Sequence, residues 1–136
     1  MTDIAAAIAA AASGMRAQTV RMRIAAENVA NANSTGVSPN EDPFRRRIPL
    51  LETTTLASGA RGVQVKGATA DMTAFREEYN PSHPAADENG YVRLPNVDTL
   101  VEMMDMREAT RAYEANLNMI EAARTMTNRA LDLLRR

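Results

Sequence analysis

The chain has 136 residues, with 16 Lys+Arg against 17 Asp+Glu for a formal charge of −1. That length accommodates one domain, and the near-neutral balance excludes a dedicated basic nucleic-acid binder. The absence of cysteine excludes a disulfide framework, thiolate metal ligands and a Cys nucleophile, and a single histidine excludes a His-rich metal site or a two-His relay.

Residues 3–32 hold no proline and one glycine, Gly14, and contain 12 of the chain's 25 alanines. High helix propensity over that length predicts a helix of about 45 Å. Its expected seam runs through Ile4, Ile8, Ala11, Met15, Met22, Ala25, Val29 and Ala32, broken by Gln18, at heptad spacing. Thr2 is placed as the N-cap, with Asp3 at the positive helix end. The stretch Ile4–Ala12 resembles the apolar part of a signal peptide, but no basic segment precedes it and it passes into the amphipathic pattern. It is read as a helix start, so export would proceed without a cleaved signal. No run approaches the roughly 20 apolar residues of a membrane span.

Residues 33–96 contain all six prolines and five of the six glycines. Ile48–Leu56 is rich in Thr and leans to strand, Arg61–Gly67 alternates apolar and polar residues, and Met72–Tyr79 offers a further strand. The expectation is a small two- or three-stranded piece with irregular arms. The run Arg45-Arg46-Arg47 is flanked by Glu41, Asp42 and Glu52. It is read as a solvated or inter-subunit salt-bridging loop rather than a phosphate site. Asp87-Glu88-Asn89-Gly90 reads as a turn, not a calcium loop. Ser82-His83 lacks an oxyanion loop, so His83 is read as structural within a Pro-rich turn and no catalytic residue is assigned.

A second helix is expected from about Val97 to Leu134, roughly 57 Å long. Thr99-Leu100-Val101-Glu102 reads as a capping box at its start. Its seam is placed on Met106, Tyr113, Ile120 and Leu134, with Met103, Leu117 and Leu131 on the companion row. Arg135 and Arg136 complement its negative end. The expected fold class is mainly α: two long terminal helices pairing as an antiparallel coiled-coil-like unit around a small β-hairpin or irregular middle segment. Residues 1–36 and 97–136 form the terminal helical domain and 37–96 the middle segment, with the turn block at 79–96.

Residues 1–32 carry five charges, and 4–12 carry none. One helix pair cannot cover both apolar faces, and each uncovered Leu or Met forgoes roughly 1.5–3 kcal/mol of burial. The first helix is therefore read as a self-assembly element, against the blander reading of an alanine-rich helix in a small bundle. The expected assembly interface is Ile4, Ile8, Met15, Met22, Val29, Met103, Met106, Tyr113, Leu117, Ile120, Leu131 and Leu134.

Three stretches carry a family resemblance. Ala26–Gly36, with Asn28, Asn31, Thr35 and Gly36, resembles the N-terminal signature of flagellar rod and hook axial proteins. Tyr79–Val92 and Leu94–Asp98, with Tyr79, Pro81, His83, Pro84, Asp87, Gly90, Tyr91, Pro95 and Asn96, narrow the resemblance to proximal-rod subunits of that family. Glu102–Met106 and Arg111–Asn116 are similar to the start of the family's C-terminal helix. The resemblance implies a structural subunit of the bacterial flagellar basal-body rod, exported by the flagellar type III apparatus without a cleaved signal and assembled in the periplasm. It implies terminal helices in an inner tube and a shaft that transmits torque. FlgB, FlgF, FlgG and the rod-base adapter FliE are its implied partners, with no cofactor, nucleic acid or small-molecule substrate. A soluble helical adapter or secretion chaperone is the competing reading.

Overall fold

Helix α1 (Thr2–Ala30) forms where the alanines concentrate and ends in the turn Asn31–Asn33. Asn31 closes it by donating from its backbone and side-chain amides to the Glu27 carbonyl, at 3.1 and 2.9 Å. The computed structural model describes residues 2–135. The cap expected of the Thr2 side chain and the charge expected of Arg136 lie outside the described residues.

Four strands follow: β1 (Arg47–Thr55), β2 (Arg61–Ala70), β3 (Arg76–Tyr79) and β4 (Tyr91–Leu94). They pair as two separate antiparallel hairpins, β1 with β2 and β3 with β4. In the first, the register slips between Leu50 and Leu51, leaving Lys66 unpaired beside Gly67, whose φ of 147° suits this bulge. In the second, Tyr79 faces Tyr91 edge-on with centroids 5.4 Å apart. Gly90 has φ of 84°, and a Cβ there would lie 2.8 Å from the Tyr79 ring, so both backbone and packing require glycine.

Helix α2 (Thr99–Leu134) runs antiparallel to α1: Gly14 meets Asn116, Met22 meets Thr110, and Asn28 meets Glu102. Among the strands, β1 and β2 pack on α1 and none packs on α2. The expectation of a mainly α fold is thereby corrected. Just under half of the chain is helical, and two hairpins, one with strands of nine and ten residues, occupy the middle. The physical reason is the Thr- and Val-containing alternation at 50–65, which continues over a longer ladder than a minor insert requires.

The core is built of small residues. Ala11, Ala17, Ala25, Ala32, Ala109 and Ala123 are buried, and among the described residues the buried apolar side chains larger than alanine are Ile24, Val92, Val97, Pro43 and Pro95. Alanine brings the helix backbones close, as Gly14 does against Asn116. The first hairpin docks on α1 through Ser13, whose hydroxyl donates to the Ala10 carbonyl (2.7 Å) and accepts from the Val63 amide (3.1 Å). From Ser13 onward, then, the charge-poor helix is covered on one side by α2 and on another by its own hairpin. This corrects the expectation that all of its missing cover comes from other chains.

Ala109 has no accessible surface. Ala109→Leu is expected to overpack the helix contact, costing about 1–3 kcal/mol and lowering Tm by several degrees in a thermal melt.

Candidate assembly interface

The side chains that hold the two helices and the middle segment together meet at one point. Asp98 is the N-cap of α2, and its carboxylate accepts from the amides of Leu100 (3.0 Å) and Val101 (3.5 Å). The capping box expected at Thr99 is thus displaced by one residue. Glu102, released from capping, turns inward and is 2% exposed.

A buried carboxylate needs partners. Arg46 donates from Nε to Glu102 Oε1, and Asn28 donates from Nδ2 to Glu102 Oε2 at 3.2 Å. The same Asn28 amide pairs with the backbone of Arg47, accepting from its N–H (3.0 Å) and donating to its carbonyl (2.9 Å). Arg46 also reaches Asp71 (3.3 Å) and Asp105 (3.5 Å). Its backbone N–H donates to Asn96 Oδ1 at 2.8 Å, while Asn96 Nδ2 donates to the Asp71 carbonyl (2.9 Å) and to Thr73 Oγ1 (3.0 Å). Among the described residues, no buried side-chain nitrogen or oxygen lacks a partner. Partial burial opposes the charge on Arg46, but hydrogen bonds and attraction from Glu102 and Asp71 outweigh it and raise its pKa. Hydrogen bonds from the Thr73 amide and hydroxyl, and then from Arg46, hold the Asp71 carboxyl below its ordinary range.

This network corrects the reading of Arg45–Arg47 as a solvated loop. Arg46 is the central cation. Arg45 donates to the carbonyls of Asp71 and Thr73 at 3.1 Å and lies 4.1 Å from the centre of the Phe75 ring. Only Arg47 makes an exposed pair, with Glu27 at 3.3 Å. Local sequence could not reveal the network, because a triple-Arg run beside acidic residues has the same composition whether it is solvated or buried.

The remaining residues of the family-like stretches are largely internal ties. Ser34 donates to Asn31 Oδ1 at 3.2 Å, and Thr35 Oγ1 lies 3.5 Å from His83 Nε2. A Cβ on Gly36 would lie 2.7 Å from the Glu41 carbonyl oxygen. His83 Nδ1 accepts from the Ala85 amide (3.0 Å), and Asp87 Oδ1 accepts from the amides of Asn89 and Tyr91 (2.9 Å each). Pro81 packs against Gly90, the buried Pro95 accepts from Arg76 Nε (3.0 Å), and Pro84 is exposed. Arg76 Nη2 reaches the Ala32 carbonyl (3.0 Å), joining the second hairpin to the end of α1.

Around these ties lies a large apolar surface. Ten large apolar side chains of α2 are exposed, Met103, Leu117, Leu131 and Leu134 among them. Met106, Tyr113 and Ile120 are half-buried and share, by helical spacing, the side of Glu102, Ala109, Asn116 and Ala123. The row facing α1 is therefore Glu102–Ala109–Asn116–Ala123, one residue before the companion row expected from the sequence. Met103, Leu117 and Leu131 point away from that contact. On α1, Ile4, Ile8, Met15, Met22 and Val29 are all half-buried.

The chain is similar to several proteins named flagellar basal-body rod protein FlgC. It is 45% identical to that of Agrobacterium fabrum over 136 residues, covering 99% of this chain and 98% of the relative. It is 38% identical to that of Aquifex aeolicus over 133 residues, covering 97% and 98%. It is 36% identical to that of Bacillus subtilis over 138 residues, covering 90% and 92%. Residues 88–133 match the family described as flagellar basal body rod FlgEFG protein C-terminal.

Arg46→Ala leaves the Glu102 carboxylate buried beside Asn28 alone and is expected to cost about 3–5 kcal/mol. Arg47→Ala removes an exposed pair worth about 0–1 kcal/mol. Denaturant unfolding of both variants measures the difference. Because the carboxyl of Asp71 is held below its ordinary pKa of 3.8 in the fold, its contribution is present above that pH and fades as the pH falls further. The Tm of Asp71→Asn is expected to lie below that of the parent at pH 7, with the gap closing as the pH drops below 3.8.

Proposed function

We propose, from the fact that this chain belongs to the FlgC family of flagellar basal-body rod proteins, that its exposed helix faces are the surfaces through which it is built into the rod. The chain is a structural subunit of the flagellar basal-body rod, and membership of that family implies assembly with other rod proteins. Among the described residues, no helix is long and apolar enough to cross a membrane.

The observation that carries the proposal is the set of ten large apolar side chains exposed on α2 alone. Exposed apolar patches of this extent mark interaction surfaces in a water-soluble chain. Each such side chain gains roughly 1.5–3 kcal/mol when fully covered. In this reading the terminal helical segments, 1–36 and 97–136, form the wall of the shaft and residues 37–96 lie against them. The interface consists of Ile4, Ile8, Met15, Met22 and Val29 on α1, and Met103, Met106, Tyr113, Leu117, Ile120, Leu131 and Leu134 on α2. Its neighbours are further copies, FlgB, FlgF, FlgG and the adapter FliE. The subunit reaches the periplasm through the flagellar type III apparatus without a cleaved signal and, as part of the proximal rod, transmits torque. Helices packed along one axis resist shear because sliding uncovers apolar contacts. A freestanding adapter would gain nothing from keeping so many apolar side chains in water.

Leu131→Asp tests the surface. The site is 47% exposed, so stability is expected to change by no more than about 0.5 kcal/mol. Swimming in soft agar of a strain relying on this variant is expected to be lost. Normal motility with the folded variant refutes the interface.

A further inference from the structure

The exposed side chains of α2 include a second periodic stripe, separate from the expected seam and left open by the described residues. Val101, Met104, Glu108, Met119, Met126 and Leu133 lie on one face of α2, with Ala112, Ala115, Ala122 and Ala130 filling the intervening turns. The five large apolar members are 44–74% exposed. The stripe runs nearly the whole helix, about 48 Å, and carries one charge, Glu108.

Helix α1 has an outward face of complementary shape. Residues 5, 9, 12, 16, 19, 23, 26 and 30 recur at alternating four- and three-residue spacing and are alanine except for Arg16, Thr19 and Arg23. None of them belongs to the buried core. The Arg23 side chain is 68% exposed and, among the described residues, its one ion pair is a long contact to Glu27 at 3.9 Å.

We propose that the Val101–Leu133 stripe of one copy receives the alanine face of α1 from a second copy, antiparallel, with Glu108 against Arg23. This deepens the rod reading and rests on it. Setting Glu108 opposite Arg23 fixes every other pair. Val101 then falls opposite Ala30, Met119 opposite Ala12, and Met126 opposite Ala5. Three of the five large side chains thus meet an alanine, Met104 falls at Ala26–Glu27 and Leu133 extends past the start of α1, while the one carboxylate in the stripe meets a guanidinium. Shifting the helices by one turn in either direction separates that pair and sets the carboxylate opposite Thr19–Val20 or Ala26–Glu27, where no guanidinium meets it. Side-by-side copies pointing the same way repeat this contact head to tail around an axis. Such a contact closes a ring or extends a helix and does not stop at a dimer.

The absence of cysteine allows a direct test. In a strain lacking its own copy, chains carrying Ala12→Cys and chains carrying Met119→Cys are expressed together and oxidised. A disulfide requires Cα atoms within about 7 Å. The matched pair is expected to give a cross-linked dimer in swimming cells. Ala12→Cys with Leu133→Cys, displaced by about 21 Å along the helix, is expected to give none. Swimming cells without the matched dimer, or with equal cross-linking of both pairs, overturn the proposal while leaving the rod reading intact. Failure of the unaltered chain to restore swimming overturns the rod reading instead. Should the cysteine variants not swim, charge reversal decides. Glu108→Arg is expected to abolish swimming and Arg23→Glu in the same chain to restore it. An unaffected single variant, or a double variant that stays immotile, overturns the register.

Discussion

A carboxylate that cannot reach water organises this molecule. Glu102 sits in the first turn of α2, packed against α1, where an unpaired negative charge would cost several kcal/mol. Its oxygens are met by Arg46 and Asn28, which come from the segment leading into β1 and from the last turns of α1. Because Asn28 also clamps the backbone of Arg47, and Asn96 that of Arg46, the same contact sets where the first hairpin begins. Helix, helix and hairpin thus share one anchor. Glu102 depends on the rest, since removing Arg46 leaves its buried carboxylate with Asn28 alone.

Away from that anchor, the chain is held by small side chains. Alanine contacts bring α1 and α2 close but bury little apolar area per residue. Bulky residues that would thicken a core, the methionines and leucines of α2, stand outside it. Such a subunit is stabilised modestly by its own contacts. That distribution fits the proposal that the exposed faces of its helices are covered on assembly, which would add stability through mass action.

The sequence was most legible where local physics dominates. A proline-free, alanine-rich stretch marked the first helix, a capping signal and heptad spacing marked the second, and the glycines and prolines between them marked the interruption. Legibility failed where two residue assignments compete over one position. Thr99 and Glu102 have capping-box spacing, yet Asp98 takes the cap and frees Glu102 for the core. Met103, Leu117 and Leu131 form a credible seam, but the contact with α1 uses the row one residue earlier, where Ala109 and Ala123 permit close approach and Glu102 and Asn116 find Asn28 and Gly14 opposite them. The hairpins were underestimated for a similar reason. Strand stability lies in cross-strand pairs and in docking on α1, neither of which is written in a single segment.

By itself, the sequence determined two long helices, a turn-rich middle and the family to which these stretches point. It also determined that no thiol or multi-histidine chemistry was available. Only the tertiary structure decided which face of each helix is inside and which charges are buried. Propensity and capping act over a few neighbouring residues, whereas the partners of Glu102 lie 56 and 74 positions away. A guanidinium in a basic run looks the same whether it meets water or a buried carboxylate, until folding brings the two together.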